Sequence, residues 1–416
     1  MTTSRPPRSS VPRSWPTICP VRSRPFCRAM KGGAEMRPSM QKLVPADELL
    51  CHQTPETFAT ISQADTSWTE KLWASLFARD GSLQVDIGLG KYHNRNVIDM
   101  FAGVSRGKEQ LTVRASRQLD ADAERVGVGP LDYEVLEPLR KVRWVLQENE
   151  VVPLRFDLTV TGVLPPFLEQ KDVQRELQGF RVQSDLLRYH QASTVSGEIW
   201  LDGERIEVHD EKWFGFRDHS WGVRMDVGET APDVFKPQRL DGDFMLTWSP
   251  MWLRHPDGSS YEIHHYLQWV DGAVTYFSGF VNRPDGTQVP LHGLQDDLKY
   301  DPVNRRLLGG KLTFDAGWGE TRTVEIEPVS DTGFHLGTGL YFGFKGQRHG
   351  GWRGPLHVDG ERYTDVSEAG TAREVHQLRD CVIRCREGDA VGYGIFESMV
   401  IGAHPRYGLT KETSFL

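Results

Sequence analysis

From Trp68 onward the chain is written in short β-forming runs, each closed by turn residues. Val, Ile, Thr, Tyr, Phe and Trp suit a pleated, half-buried surface, while Gly, Asp and Asn supply the backbone angles of tight turns. Leu83 to Gly88, Arg155 to Val160 and Gly197 to Leu201 read as strands. Asp202-Gly203 then marks a two-residue hairpin before Arg205 to Val208. The habit returns in the second half, where Tyr261 to Val270 and Ala273 to Val281 flank Asp271-Gly272. Pro284-Asp285-Gly286 turns the chain again. Helical periodicity is convincing only over Leu168 to Gly179, a short connector after Pro165-Pro166. About a dozen or more strands with almost no helix predict an all-β fold of antiparallel barrels or sandwiches.

At 416 residues the chain exceeds one ordinary core and predicts two domains in tandem. The charged, Pro-bearing stretch Asp226 to Asp241 is the expected boundary, giving domains at 41–228 and 229–416. Residues 1–40 differ from the rest: they are rich in Arg, Pro and Ser and have no acid before Glu35. They read as a disordered basic leader outside the fold, either an Arg- and Ser-rich targeting segment or, favoured by the prolines and the composition break, sequence preceding a translation start at Met36 or Met40. A net charge of −8 gives no basic field for nucleic acid. No apolar run approaches the ~20 residues of a membrane-spanning helix. The five cysteines are too few for a disulfide framework, and a cytoplasmic location is expected. Cys381 and Cys385 sit four residues apart in a strand-like run, roughly 13 Å between Cα atoms and beyond disulfide reach.

The densest chemistry lies in Trp213 to Arg224. If this run is extended, a period of two puts Trp213, Arg217, His219 and Trp221 on one face and Asp218 and Ser220 on the other. An imidazole beside an indole and a guanidinium is a candidate reaction centre, because His exchanges protons near neutral pH and an indole face stabilises a cation. The alternative is structural: Arg217 pairs with Asp218 while the tryptophans fill core. In Tyr261 to Trp269, alternation groups Glu262, His264, Tyr266 and Gln268, either lining a polar pocket or forming a solvated face. His264 and His265 point oppositely and cannot grip one metal, and no other spacing suggests a metal site. Glu397 follows Gly392 and Gly394 on an apolar strand, where burial would raise its pKa; pairing with Arg217 or Arg353 is the alternative. Gly103-Val104-Ser105-Arg106-Gly107 matches a serine-hydrolase pattern, but a strand follows it, so Ser105 belongs to a hairpin. Gly337 to Gly343 lacks dinucleotide spacing, and no cofactor is implied.

With its Arg217-Asp218-His219-Ser220-Trp221-Gly222 core, the first motif resembles the signature of a two-domain lipocalin-like family. That family includes bacterial carotenoid 1,2-hydratases (hydroxyneurosporene synthases) and AttH-type proteins. His349 to Pro355 and Gly392 to Glu397 resemble second-domain motifs of a bacterial branch of it. The resemblance spans Trp68 to the C-terminus. It implies two lipocalin-like antiparallel barrels enclosing a lipophilic small molecule. The chemistry it implies is cofactor-free hydration of an isoprenoid double bond: an acid protonates the alkene and water captures the tertiary cation. His219 and Trp221 match the family's His-x-Trp. The family's acid, an Asp two residues after a Tyr on the next strand, has no counterpart in Phe244 to Ser249. Asp218, Glu262 and Glu397 are the candidate replacements.

Arg217, Asp218, His219 and Trp221 are therefore the catalytic candidates. Trp213, Trp248, Glu262, His264, Tyr266 and Glu397 are the candidate substrate-binding residues. The expected function is a hydratase, lyase or isomerase acting by proton transfer on an alkene-bearing terpenoid, steroid or polyketide. Two alternatives are a pericyclase-like cyclisation catalyst that works by shape, and a non-catalytic lipophile-binding protein.

Overall fold

The computed structural model describes residues 42–53, 60–121, 125–175, 181–229, 233, 242–375 and 378–415. The expected leader and most of the expected boundary segment lie outside these residues. Of the described residues 59% are strand and 7% helix, which makes the fold all-β, with two curled antiparallel sheets as tandem barrels.

The first sheet begins with β1 (Trp68–Ala78), β2 (Gln84–Tyr92), β3 (Val97–Arg106) and β4 (Glu109–Gln118). It continues through β5 (Leu131–Glu137), β6 (Lys141–Leu146), β7 (Leu154–Gly162), β8 (Phe167–Leu168) and β9 (Asp172–Arg175). β10 (Val182–Leu201), β11 (Glu204–Val208) and β12 (Trp213–Val223) close the run. The second sheet opens with β13 (Phe244–Arg254), β14 (Ser260–Val270), β15 (Ala273–Asn282) and β16 (Gln288–Leu291). It adds β17 (Gly293–Tyr300), β18 (Leu307–Gly317), β19 (Glu320–Pro328) and β20 (Phe334–His335). After β21 (Leu356–Tyr363) come the one α-helix among the described residues, α1 (Ala369–Val375), then β22 (Arg379–Glu387) and β23 (Ala390–Ile401).

Neighbours run β21-β4-β3-β2-β1-β12-β10-β7-β6-β5 in the first sheet and β16-β15-β14-β13-β23-β22-β19-β18-β17 in the second. β21 departs from chain order: it comes from the second half yet pairs with β4 of the first sheet.

Side chains alternate across each strand, so a strand offers one face to its own barrel and the other either to solvent, as in β5 and β19, or to the neighbouring sheet, as in β1, β12, β13 and β23. Leu72, Ala74 and Leu76 of β1 fill the first barrel with Ile87 and Leu89. Met251, Ile263, Phe314 and Phe396 fill the second. A third apolar layer joins the outward faces of the two sheets, with Trp73, Phe77 and Phe216 against Trp248, Trp252, Val382 and Ile395.

The expected hairpins form where the dipeptides stand. Asp202 (φ 53°) and Gly203 (φ 83°) turn β10 into β11, and Asp271 (φ 47°) and Gly272 (φ 87°) turn β14 into β15. Both pairs take the left-handed angles of a primed turn. Gly222 in the motif has φ 131°, and a Cβ there would lie 2.1 Å from the Asp185 carbonyl oxygen. Ser105 ends β3 beside a hairpin and donates to the Gly333 carbonyl at 2.8 Å. Cys381 and Cys385 are buried in β22 and unbridged.

The helix expected over Leu168 to Gly179 is not present in its described part. β8 and β9 are extended and pair with β10, while residues 176–180 lie outside the described region. Pairing with the long β10 outweighs the local period of 3.6, and Phe167 is fully buried between His190 and Phe280.

The segment before β1 closes the first barrel. Glu48, fully buried in a 3-10 turn (Pro45–Glu48), accepts from Arg217 Nη1 at 2.7 Å and Nη2 at 3.0 Å. Tyr133 Oη donates to the same carboxylate at 3.1 Å. Removing one partner of a buried pair leaves the other charge uncompensated, at a cost of about 3–5 kcal/mol. Arg217→Ala is therefore expected to lower the unfolding free energy measured in urea by about that amount. A loss below ~1 kcal/mol, the range of an exposed pair, would contradict the buried placement.

Candidate functional site between the two sheets

β12 lies between β1 and β10, with His219 opposite Leu72 and Tyr189. Its alternation divides the motif between two compartments. Trp213, Arg217, His219 and Trp221 face the first barrel; Asp218 faces the second sheet. The four catalytic candidates therefore do not share one site. Nor does Arg217 pair with Asp218: its partners are Glu48 and Gln191.

On the barrel side His219 is fully buried, with Nε2 3.0 Å from Glu70 Oε1 and Nδ1 3.4 Å from Tyr189 Oη. Glu70 also meets His52 Nδ1 at 2.5 Å, and the His52 ring stacks on Trp221 with centroids 3.9 Å apart. Burial opposes ionisation of Glu70, but the hydrogen bonds from His219 and His52 bring its pKa down to about 2. Every polar atom of this imidazole is spoken for. Trp213 packs into the apolar core of the same barrel.

The other compartment is the seam between the sheets. Glu262, His264, Tyr266 and Gln268 are all buried here, so the set is not a solvated face. Asp380, Glu397, Trp248 and Tyr266 form one row across β22, β23, β13 and β14. Gly88, Trp73, Asp218 and His190 form a row across β2, β1, β12 and β10. The rows meet through Trp73, whose indole N–H donates to Asp380 Oδ2 at 3.2 Å and whose ring lies edge-on to Trp248 at 5.4 Å.

Three carboxyls gather at this junction. Gln84 Nε2 donates to Asp86 Oδ2 at 2.8 Å and to the Asp380 carbonyl at 3.2 Å. Burial pushes the Asp86 carboxyl up to about 7. Burial, reinforced by Asp86, raises Asp380 well above the usual carboxylate range, and burial with Asp380 beside it does the same to Glu397. Glu397 bonds neither Arg217 nor Arg353. It stays only half-buried, and Asp218 and Arg188, 3.3 Å apart, each keep 14% of their side-chain exposure. The Asp218 and Arg188 side chains are thus not completely enclosed by protein. Nearby, the Lys71 ammonium sits 3.9 Å over the Tyr341 ring and 3.1 Å from His349 Nε2, and burial holds its pKa well below the usual lysine value.

A second polar cluster adjoins the first. His190 Nδ1 lies 2.9 Å from Glu169 Oε1, which also accepts from Trp248 Nε1 at 3.1 Å. Glu169 Oε2 accepts from Arg188 Nη1 at 3.3 Å, and His264 Nε2 is 3.5 Å from Glu169 Oε1. Two groups thus bring three metal-capable donor atoms within 4.8 Å of one another: His52, Glu70 and His219, and Glu169, His190 and His264. Sequence reasoning missed Asp86, Glu169, His190, Asp380 and Lys71, because no short spacing marks them. Only the outward strand faces of Asp86, His190, Asp380 and Lys71 would have grouped those four, and Glu169 lies in the loop after β8.

Solved structures with similar folds include an AttH-like protein from Nitrosomonas europaea, at 13% identity and TM-score 0.46, covering 79% of this chain and 92% of that one. Kievitone hydratase from Nectria haematococca is similar at 13% identity and TM-score 0.46, over 82% of this chain and 91% of the other. CghA is similar at 11% identity and TM-score 0.42, over 82% and 90%. No curated protein matches the sequence. The sequence profile of a family of unknown function matches residues 43–410, nearly the whole β-structure. The chain belongs to that family, DUF8625.

Proposed function

We propose that the seam between the sheets is an acid–base site acting on a lipophilic, alkene-bearing small molecule, with Glu397 as the proton donor. One observation carries this reading: Glu397, only half-buried, lies directly across from Trp248, and burial together with Asp380 raises its carboxyl pKa well above the usual range. A general acid must hold its proton near the working pH, and burial among carboxyls achieves that. His219 has no such access, so the reading assigns it to holding Glu70 and the barrel end in place.

In the proposed step the Glu397 O–H gives its proton to one alkene carbon, and the other carbon becomes a tertiary cation. The indoles of Trp73 and Trp248 flank the acid, and a desolvated indole stabilises a cation by about 2 kcal/mol or more. Water then adds to the cation and returns a proton to the Glu397 carboxylate, completing hydration. Loss of a neighbouring C–H proton to the same carboxylate would give an isomer. The motif's resemblance to the carotenoid hydratase family agrees with this chemistry but does not choose between the outcomes.

The test begins by extracting the purified protein with organic solvent and identifying the bound lipophile by mass spectrometry. Returned to the protein in D2O, that molecule is expected to gain solvent deuterium at carbon. Glu397→Gln is expected to slow the gain by about 100-fold or more while retaining the ligand. Retention without any exchange in the wild type would leave a carrier and overturn the proposal.

The same raised pKa values set a stability profile. Asp86 keeps its proton in the folded state up to about 7, whereas an unfolded Asp releases it near ~4. Its contribution is fully present below the unfolded value and is lost as pH rises through the folded one. Glu70, depressed to about 2, acts in the opposite sense and only at lower pH. Urea midpoints of the wild type are expected to fall, relative to Asp86→Asn, between those two Asp86 values. Parallel profiles across that window would contradict a protonated Asp86.

A further inference from the structure

We propose that Glu169, His190 and His264 form a binding site for a divalent transition-metal ion, with zinc as the best match. Two imidazoles and one carboxylate are a donor set that zinc takes with a further position open. The residues come from three separate places: the loop after β8, β10 and β14. The fold brings them together without any local motif.

Distances fit a shared ion. Donors bound to one tetrahedral zinc at ~2.0–2.1 Å lie roughly 3.4 Å from each other. Glu169 Oε1 is 2.9 Å from His190 Nδ1 and 3.5 Å from His264 Nε2, and the three donors all fall within 4.8 Å. The two imidazole rings are tilted by 39° with centroids 4.3 Å apart, rather than stacked flat.

An independent observation points to a ligand. His264 is 1% exposed, and neither of its ring nitrogens has a hydrogen-bond partner. Buried polar atoms are nearly always paired, so an orphaned imidazole aimed at a carboxylate needs an explanation. The buried Glu262 meets His190 Nε2 through Oε1 at 2.7 Å, and its Oε2 has no hydrogen-bond partner. Trp248, bonded to Glu169 Oε1 at 3.1 Å, and Arg188 on the other oxygen hold the carboxylate in place, as outer partners of metal ligands do.

The His52–Glu70–His219 group makes the contrast. There Glu70 takes both imidazoles, and His219 reaches Tyr189 with its second nitrogen. Hydrogen bonds already satisfy that cluster. Around Glu169 the only account without an ion is a protonated His190 bridging Glu169 and Glu262. That account leaves His264 unexplained.

The proposal does not depend on Glu397, and its test separates the two. Full-length protein is stripped with chelator, then titrated with zinc by calorimetry and with Co2+ by visible absorption. One zinc per chain, the d–d bands of a low-coordinate Co2+ site, and a Tm that rises with zinc concentration are expected. His264→Ala and Glu169→Gln are each expected to weaken zinc binding by more than about 100-fold, exceeding the usual outer-partner effect. Glu397→Gln is expected to bind zinc as the wild type does. Wild-type protein with no zinc uptake and no Co2+ bands overturns the site. So does zinc affinity that survives both ligand substitutions, since the ion would then lie elsewhere.

Discussion

Charge balance at the seam governs the rest of this structure. Asp86, Glu169, Asp218, Glu262, Asp380 and Glu397 are enclosed between two sheets, with Arg188, Arg224, Lys71 and His190 as the groups whose positive charge reaches some of them. An isolated buried carboxylate is too costly to persist, so each one must pair, coordinate or keep its proton. Asp218 pairs with Arg188. Asp86, Asp380 and Glu397 form no direct ion pair, and burial raises the pKa of each carboxyl.

The barrels make that burial possible. Each satisfies its own core with aliphatic and aromatic side chains on inward faces, which frees the outward faces for a mixed apolar and ionisable layer. Trp73, Trp248 and Trp252 supply the apolar part and exclude water, which strengthens every electrostatic effect beside them. The motif strand shows the division of labour. Arg217 and His219 bond Glu48 and Glu70 on the barrel side, while Asp218, one residue away, pairs with Arg188 in the opposite compartment.

Much of the architecture was legible in the sequence because strand and turn signals are local. Asp-Gly dipeptides name their hairpins, and a period of two fixes which residues share a face, as for Glu262, His264 and Tyr266. The partners were not legible, because they come from far along the chain. Trp73 bonds Asp380 across 307 residues, Lys71 meets His349 across 278, and Arg217 meets Glu48 across 169. A spacing rule sees none of these. The helix expected after Pro166 failed for the related reason that a long neighbouring strand offered a ladder the local pattern could not reveal. β21, crossing to the first sheet, is the same lesson at the level of topology.

Infrared difference spectroscopy on the carboxyl groups tests the central claim most directly. At neutral pH the wild-type protein should show the C=O stretch of a protonated, dehydrated carboxylic acid, resistant to rapid H/D exchange and absent from Glu397→Gln. A spectrum containing carboxylate bands alone, unchanged by that substitution, would contradict a seam that stores protons.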